Sequence, residues 1–252
     1  MHIAGSRILI TGGARGLGRA FALDLAVAGA RVGVCDVDAD GLADCERAAT
    51  EQGLQVWTHT ADVSDEASVE QLFVEFVTGH GGIDAVVNNA GLNRDGLLVR
   101  KKDDAIEKLS LAKWQAVIDV DLTGVFLCAR EAAYHMVSQG TGGVIVSISS
   151  LSWKGNAGQT NYSAAKAGVV AMTRTWAIEL ARYGIRAVAV APGLTATEMA
   201  RSMPEDARER LTAAIPVRRM AEPAEVSHAV RFALENDYVN GRVIPVDGGL
   251  RL

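Results

Sequence analysis

The sequence predicts a doubly wound α/β fold, a single Rossmann domain over 1–252 with a parallel sheet of about seven strands and helices on both faces. Three observations carry that expectation. Short apolar, β-branched runs alternate with longer amphipathic stretches from end to end. The runs are nearly continuous in apolar residues, as strands buried on both faces require. And "TGGARGLG" (11–18) follows the first run and opens the first helical pattern, the place where such folds bind phosphates.

In chain order, the strand candidates are "RILIT" (7–11), "RVGVCD" (31–36), "QVWTHTADV" (55–63), "IDAVVNNAG" (83–91), "GVIVSISS" (143–150), "IRAVAVAPG" (185–193) and "RVIPVD" (242–247). Helical patterns lie between them, among them "LGRAFALDLAVAGA", "DEASVEQLFVEFV", "WQAVIDVDLTGVFLCAREAAYHMV" and "SAAKAGVVAMTRTWAIELARYG". Right-handed crossovers would place these helices above and below the sheet, with the ligand beyond the carboxyl ends of the strands. Two segments break the rhythm. Residues 92–113 are polar and charged and read as a surface excursion, and 195–220 form a long connection at the ligand edge that reads as a substrate-side lid.

Composition narrows the function. With 25 basic against 30 acidic residues, no basic face advertises nucleic acid or an anionic membrane, so small molecules and further copies of the chain are the expected partners. The N-terminus has no signal-peptide pattern and no apolar run matches a membrane helix, which predicts a cytoplasmic protein. Cys35, Cys45 and Cys128 show no paired spacing and read as reduced structural thiols; the five histidines show none either, so no metal is expected.

Gly12, Gly16 and Gly18, with Arg15 and Leu17 between them, form a cradle whose backbone can approach a pyrophosphate at a helix N-terminus. Asp36 ends the second strand, twenty residues after Gly16, where a carboxylate accepts hydrogen bonds from ribose hydroxyls and repels a 2′-phosphate. The expected cofactor is therefore NAD(H). NADP(H) stays open through Arg15, whose guanidinium could pair with a 2′-phosphate if Asp36 turned away.

"NYSAAKAG" (161–168) has three readings: a glycosylation acceptor, a plain helical turn, or a catalytic pair. The cytoplasmic expectation removes the first. Tyr162 and Lys166 stand four apart and share one helix face, where a cation lowers the pKa of a phenol and makes it an acid/base group. Ser149, thirteen residues before Tyr162 at the end of the fifth strand, supplies a hydroxyl across the cleft.

These motifs, together with "ADV" (61–63), "NNAG" (88–91) and "PGLTATEM" (192–199), resemble the short-chain dehydrogenase/reductase family over nearly the whole chain, and within it the 3-oxoacyl-[acyl-carrier-protein] reductases. The resemblance implies that Asp62 and Val63 hold the adenine and that Asn89, Ala90 and Gly91 line the dinucleotide. It implies that Ser149 binds the carbonyl oxygen, Tyr162 gives the proton, and Lys166 holds the nicotinamide ribose. Pro192, Gly193, Leu194, Thr195 and Thr197 would contact the nicotinamide end. It also implies a homotetramer and a metal-independent exchange of hydride between a nicotinamide cofactor and a 3-oxoacyl thioester. A small or cyclic secondary alcohol or a sugar is the alternative substrate, and a non-catalytic dinucleotide-binding regulator the alternative of another class.

The chain departs from the family at Asp121, where Asn usually precedes Leu-Thr-Gly. The family Asn is thought to support a water linked to the lysine, so Asp121 joins Ser149, Tyr162 and Lys166 as a catalytic candidate that keeps the relay and favours a charged Lys166. The excursion is also longer than in the simplest relatives, and could meet an acyl carrier or a neighbouring subunit.

Overall fold

The computed structural model describes residues 1–201 and 203–251. Ser202, inside the 195–220 connection, and Leu252, at the end of the C-terminal tail, lie outside the described residues. Seven strands, β1 (Arg7–Thr11), β2 (Arg31–Asp36), β3 (Val56–Thr60), β4 (Ala85–Asn88), β7 (Gly143–Ile148), β8 (Ile185–Pro192) and β9 (Arg242–Val246), form one sheet in the order β3-β2-β1-β4-β7-β8-β9. Every pairing in it is parallel. The expected doubly wound architecture is present, and the order reverses between β1 and β4, which opens a crevice at their carboxyl ends.

Successive strand residues point to opposite faces, so each strand feeds two cores. On one face Ile8, Ile10, Val32, Val34, Val87, Val146 and Val188 pack under α1 (Gly16–Val27), α2 (Ala39–Thr50) and α9 (Pro223–Glu235). On the other, Leu9, Val86, Ile145 and Ala187 pack under α3 (Glu66–His80), α5 (Val125–Gln139) and the inner side of α6 (Thr160–Glu179). Gly33 in β2 shows how tight the fit is. A Cβ there would stand 2.6 Å from Cε2 of the fully buried Phe76, so the ring occupies the space a side chain would need.

Five expected strands are shorter at their carboxyl ends, by one residue at Pro192 and Val246 and by two or three at Thr60, Asn88 and Ile148, where the chain turns out of the sheet to build the crevice. The 92–113 excursion holds an antiparallel hairpin, β5 (Val99–Lys102) with β6 (Ala105–Lys108), exposed throughout. After it, α4 (Leu111–Ile118) runs through a π-helical turn (Asp119–Gly124) directly into α5. The 195–220 connection carries α7 (Glu198–Arg201) and α8 (Glu205–Ala214), and it is pinched at its base where Ala196 N–H donates to Ala221 O and Ala221 N–H to Leu194 O.

Candidate active site

The glycine turn is shaped by contacts that leave no room for side chains. A Cβ on Gly18 would overlap Gly12 O, and one on Gly12 would come within 2.8 Å of Ala90 Cα. Gly16, at φ 57°, faces open space, with Thr197 Cγ2 at 4.0 Å as its nearest neighbour. No side chain caps α1 at Arg15 and its first turn holds no acid, so the positive end of the helix is free to face an anion. Leu17 packs into the core beneath the turn.

Hydrogen bonds tie the turn to its neighbours. Asp36 Oδ2 accepts Ala14 N–H at 3.1 Å and Oδ1 accepts Asp38 N–H at 3.2 Å, which sets the carboxylate at the end of β2 with lone pairs to spare. Arg15 is exposed and lies 3.9 Å from Asp38 and 4.0 Å from Glu198, so two acids already attend its guanidinium. Asn89 donates its amide to Thr11 O and Gly12 O, both at 3.0 Å, while the Thr11 hydroxyl accepts the N–H groups of Asn89 and Ala90. Asn89 thus braces the glycine turn. Asp62 is exposed and takes the Ser64 N–H and hydroxyl, whereas the Val63 side chain is buried against the position a Gly124 side chain would fill. These residues fit a dinucleotide: a free helix end for the pyrophosphate and an anchored carboxylate for a ribose. Lys166, beside them, would hold the second ribose.

On α6, Lys166 Nζ sits 5.3 Å from the centre of the Tyr162 ring, donates to Ile148 O at 3.1 Å, and lies 3.0 Å from Asp121 Oδ2. Lys166 is 3% exposed and Asp121 fully buried, while Tyr162 is half-buried at the crevice. Burial of the phenol pushes the Tyr162 pKa up and Lys166 pulls it down; Asp121 raises it, the Ser150 hydrogen bond lowers it, Asp95 raises it, and the net direction is upward. Burial pushes Lys166 down, yet the charges of Asp121 and Tyr162 outweigh it and leave the ammonium more firmly protonated than usual.

The serine assignment needs correction. Ser149 N–H still bonds Val190 O, so Ser149 remains in the sheet ladder, and its buried hydroxyl donates to Lys166 O at 3.0 Å. It ties β7 to α6 and does not face the phenol. Ser150, pointing the other way in extended geometry (φ −162°, ψ 156°) at the start of the 3-10 turn Leu151–Lys154, accepts Ser152 N–H at 3.2 Å, and its hydroxyl is the one that lowers the Tyr162 pKa. The signal was present in the Ser-Ser pair, but a register of one residue at a strand end is set by the turn that follows.

Neighbouring residues hold the helix start. Asn161, fully buried, donates to Arg94 O and Lys113 O, both at 3.0 Å, so the nominal glycosylation acceptor is an internal strut. Gln159 Nε2 reaches both Asp95 oxygens, at 3.3 and 3.2 Å, and Gly96 N–H donates to Gly158 O. The root of the excursion is therefore part of the crevice wall, a role its charged composition did not reveal. Across the crevice, Pro192 ends β8 beside Val246, and Gly193 passes so close to Asp247 that a Cβ would stand 2.9 Å from its Cα. Leu194 packs with Leu151, Ile215 and Leu250, and Thr195 is buried at the pinch with Ala221.

Among the described residues no three histidine, cysteine or acidic side chains gather as a metal site, and no helix is long and apolar enough to cross a membrane. Comparison with known proteins gives a consistent picture. The family model described as Enoyl-(Acyl carrier protein) reductase matches residues 12–251. The 3-oxoacyl-[acyl-carrier-protein] reductase FabG of Thermotoga maritima is 40% identical over 252 residues, 99% of this chain and 99% of that protein. A (2S)-[(R)-hydroxy(phenyl)methyl]succinyl-CoA dehydrogenase subunit of Thauera aromatica is 40% identical over 254 residues, 100% of this chain and 99% of its own. Among solved structures, levodione reductase superposes with a TM-score of 0.89 at 37% identity, covering 98% of this chain and 97% of that one.

Proposed function

The chain belongs to the short-chain dehydrogenase/reductase family and is an oxidoreductase of carbonyl and alcohol groups, and from that premise we propose that it reduces 3-oxoacyl thioesters with NADH. The observation that carries the chemistry is Tyr162 at the crevice, with Lys166 Nζ 5.3 Å from its ring and the Ser150 hydroxyl lowering its pKa from the carboxyl end of β7. A bound nicotinamide cofactor supplies the hydride. The Ser150 hydroxyl binds the carbonyl oxygen, Tyr162 gives it a proton as negative charge develops, and Lys166 stabilises the phenolate left behind.

The substrate class rests on two relatives named for acyl groups on carrier protein or coenzyme A; levodione reductase supports a cyclic carbonyl as the second reading. The preference for NADH over NADPH rests on the anchored Asp36 carboxylate and on the acids that already attend Arg15. The connection 195–220 is proposed as the lid over the substrate, pinched at a base where it can hinge. A homotetramer and a cytoplasmic location complete the proposal; the exposed Phe126, Tyr134 and Ile178 on α5 and α6 offer apolar surface for subunit contacts.

The test is the oxidation of NADH and of NADPH by the purified protein with acetoacetyl-coenzyme A and, in parallel, a panel of cyclic ketones. Turnover of the thioester with NADH at a kcat/KM at least about tenfold above NADPH is expected, about 1.4 kcal/mol of discrimination. Turnover of cyclic ketones alone moves the substrate to the second reading. Binding of NADH with no turnover of any carbonyl overturns the catalytic proposal.

A further inference from the structure

Asp121 is a fully buried carboxylate whose two oxygens face two different parts of the site. Oδ1 accepts Leu92 N–H at 2.8 Å, and Oδ2 stands 3.0 Å from Lys166 Nζ. The π-helical turn turns Asp121 and Gly124 inward together. Gly91 closes the remaining space, since a Cβ there would lie 2.7 Å from Asp121 Oδ2 and 3.4 Å from Lys166 Nζ. The ion pair is walled in between the segment after β4, the π turn and α6.

We propose that Asp121 is a positioning residue that balances the charge of the catalytic cluster, making it electrically neutral while Tyr162 holds its proton and a net anion once that proton is gone. An amide at 121 would give a different pair of states: a net cation with the proton in place and a neutral cluster without it. Net charge is costly in a buried site, so the carboxylate keeps Tyr162 protonated, and available as a donor, to higher pH, and the amide would let the phenolate, the acceptor form, appear at lower pH. Giving a proton is what carbonyl reduction asks of Tyr162; accepting one is what alcohol oxidation asks. The inference deepens the proposed function and rests on its assignment of Tyr162 as proton donor.

The other groups around the phenol have defined senses. Asp95, held by Gln159 at the root of the excursion, adds negative potential and acts with Asp121; the Ser150 hydroxyl and Lys166 act against it. From α4, Lys113 Nζ donates to Asp95 O at 3.2 Å. None of these touches the Asp121 carboxylate except Lys166, so the charge at 121 can be changed by itself.

The test uses three variants. Asp121→Asn keeps the shape and an acceptor for Leu92 N–H and removes the charge; Asp121→Ser is a second charge-free variant should the first fold poorly; Asp121→Glu restores the charge. The pH dependence of kcat/KM is followed in both directions. In the charge-free variants the alkaline limb of reduction and the acidic limb of oxidation are expected to move to lower pH by about one unit or more, and Asp121→Glu to stay near the wild-type position. A role in shape alone would lower rates at every pH and leave the limbs in place, which overturns the proposal, as does a shift to higher pH. The phenolate of Tyr162 is also titrated by NMR with ring-labelled tyrosine, assigned through Tyr162→Phe, without substrate. It is expected to appear at lower pH in Asp121→Asn than in the wild type; coincident titrations overturn the proposal. Because that titration needs no turnover, a protein inactive on every carbonyl would refute the proposed function and still decide the role of Asp121.

Discussion

The two rims of the crevice are built to different standards. On the dinucleotide rim, Asp36 and Asn89 hold the backbone of the glycine turn, the Thr11 hydroxyl holds the N–H groups of Asn89 and Ala90, and Gly12 and Gly18 fit against a Cα and a carbonyl with no space left over. On the substrate rim, α8 buries none of its residues and the hairpin β5–β6 is exposed throughout, while order is kept at the base by the Ala221 pinch and the small cluster of Leu151, Leu194, Ile215 and Leu250. A rim bonded to its own backbone can bind one kind of ligand. A rim attached only at its base can change with little effect on the fold, which is how one fold comes to serve many substrates.

The sharpest way to break that comparison is at the catalytic helix between the rims. Tyr162→Phe removes the only proposed proton donor and is expected to lower kcat by at least about a thousandfold, at the upper end of general acid catalysis together with a lost oxyanion donor. Binding of NADH, followed by fluorescence, should change less than about threefold, since a phenol is worth about one hydrogen bond there. Retention of more than a tenth of the activity would place the proton source elsewhere.

The next effect separates two adjacent serines. Ser150→Ala is expected to cost about a hundredfold in kcat, the usual loss for one oxyanion donor. Ser149→Ala, which removes the bond to Lys166 O inside the protein, should cost about 1 kcal/mol of stability and less than about tenfold in rate. Steady-state kinetics and thermal unfolding of both variants decide the matter, and the reverse order of effects would restore Ser149 to the catalytic set. A third variant sharpens the dinucleotide rim. Asp36→Ser removes the charge that faces a 2′-phosphate and should swing the NADPH-to-NADH ratio of kcat/KM by about a hundredfold, near the 3 kcal/mol upper value for hydrogen bonds to a charged group. An unchanged ratio would show that Asp36 serves only the Ala14 and Asp38 amides.

What the sequence disclosed follows the same division. The seven strands, the cradle of Gly12, Gly16 and Gly18, and the pair Tyr162 and Lys166 were legible because each rests on spacing within one element and on the backbone it dictates. Ser150 was not, because neighbouring serines at a strand end differ only in the face they take, and the 3-10 turn after them chooses it. The contact of Asp121 with Lys166 was half legible: the residue stood out, but its direct pairing depends on a π-helical turn and on the bare Cα of Gly91. The hairpin at 99–108 was hidden by its charges, which show no alternation because neither face is buried.

The smallest expected effect tests the substrate rim itself. Leu109 N–H donates to Leu98 O, so the strands meet just below the hairpin and a short Asn-Gly turn can join Leu98 to Leu109 in place of 99–108. The root of the excursion, with Asp95 on Gln159 and Arg94 on Asn161, is left intact by this replacement. Turnover of acetoacetyl-coenzyme A should then stay within about twofold of the wild type, and thermal stability should change by less than about 0.5 kcal/mol, as for surface changes away from buried contacts. Exposed Val99 and Ile106 leave with the hairpin, so the same variant should also be less prone to self-association at high concentration. A loss of activity beyond about tenfold would mean that the hairpin reaches the bound substrate, in its own subunit or a neighbouring one, and that the substrate rim is as closely built as the rim opposite.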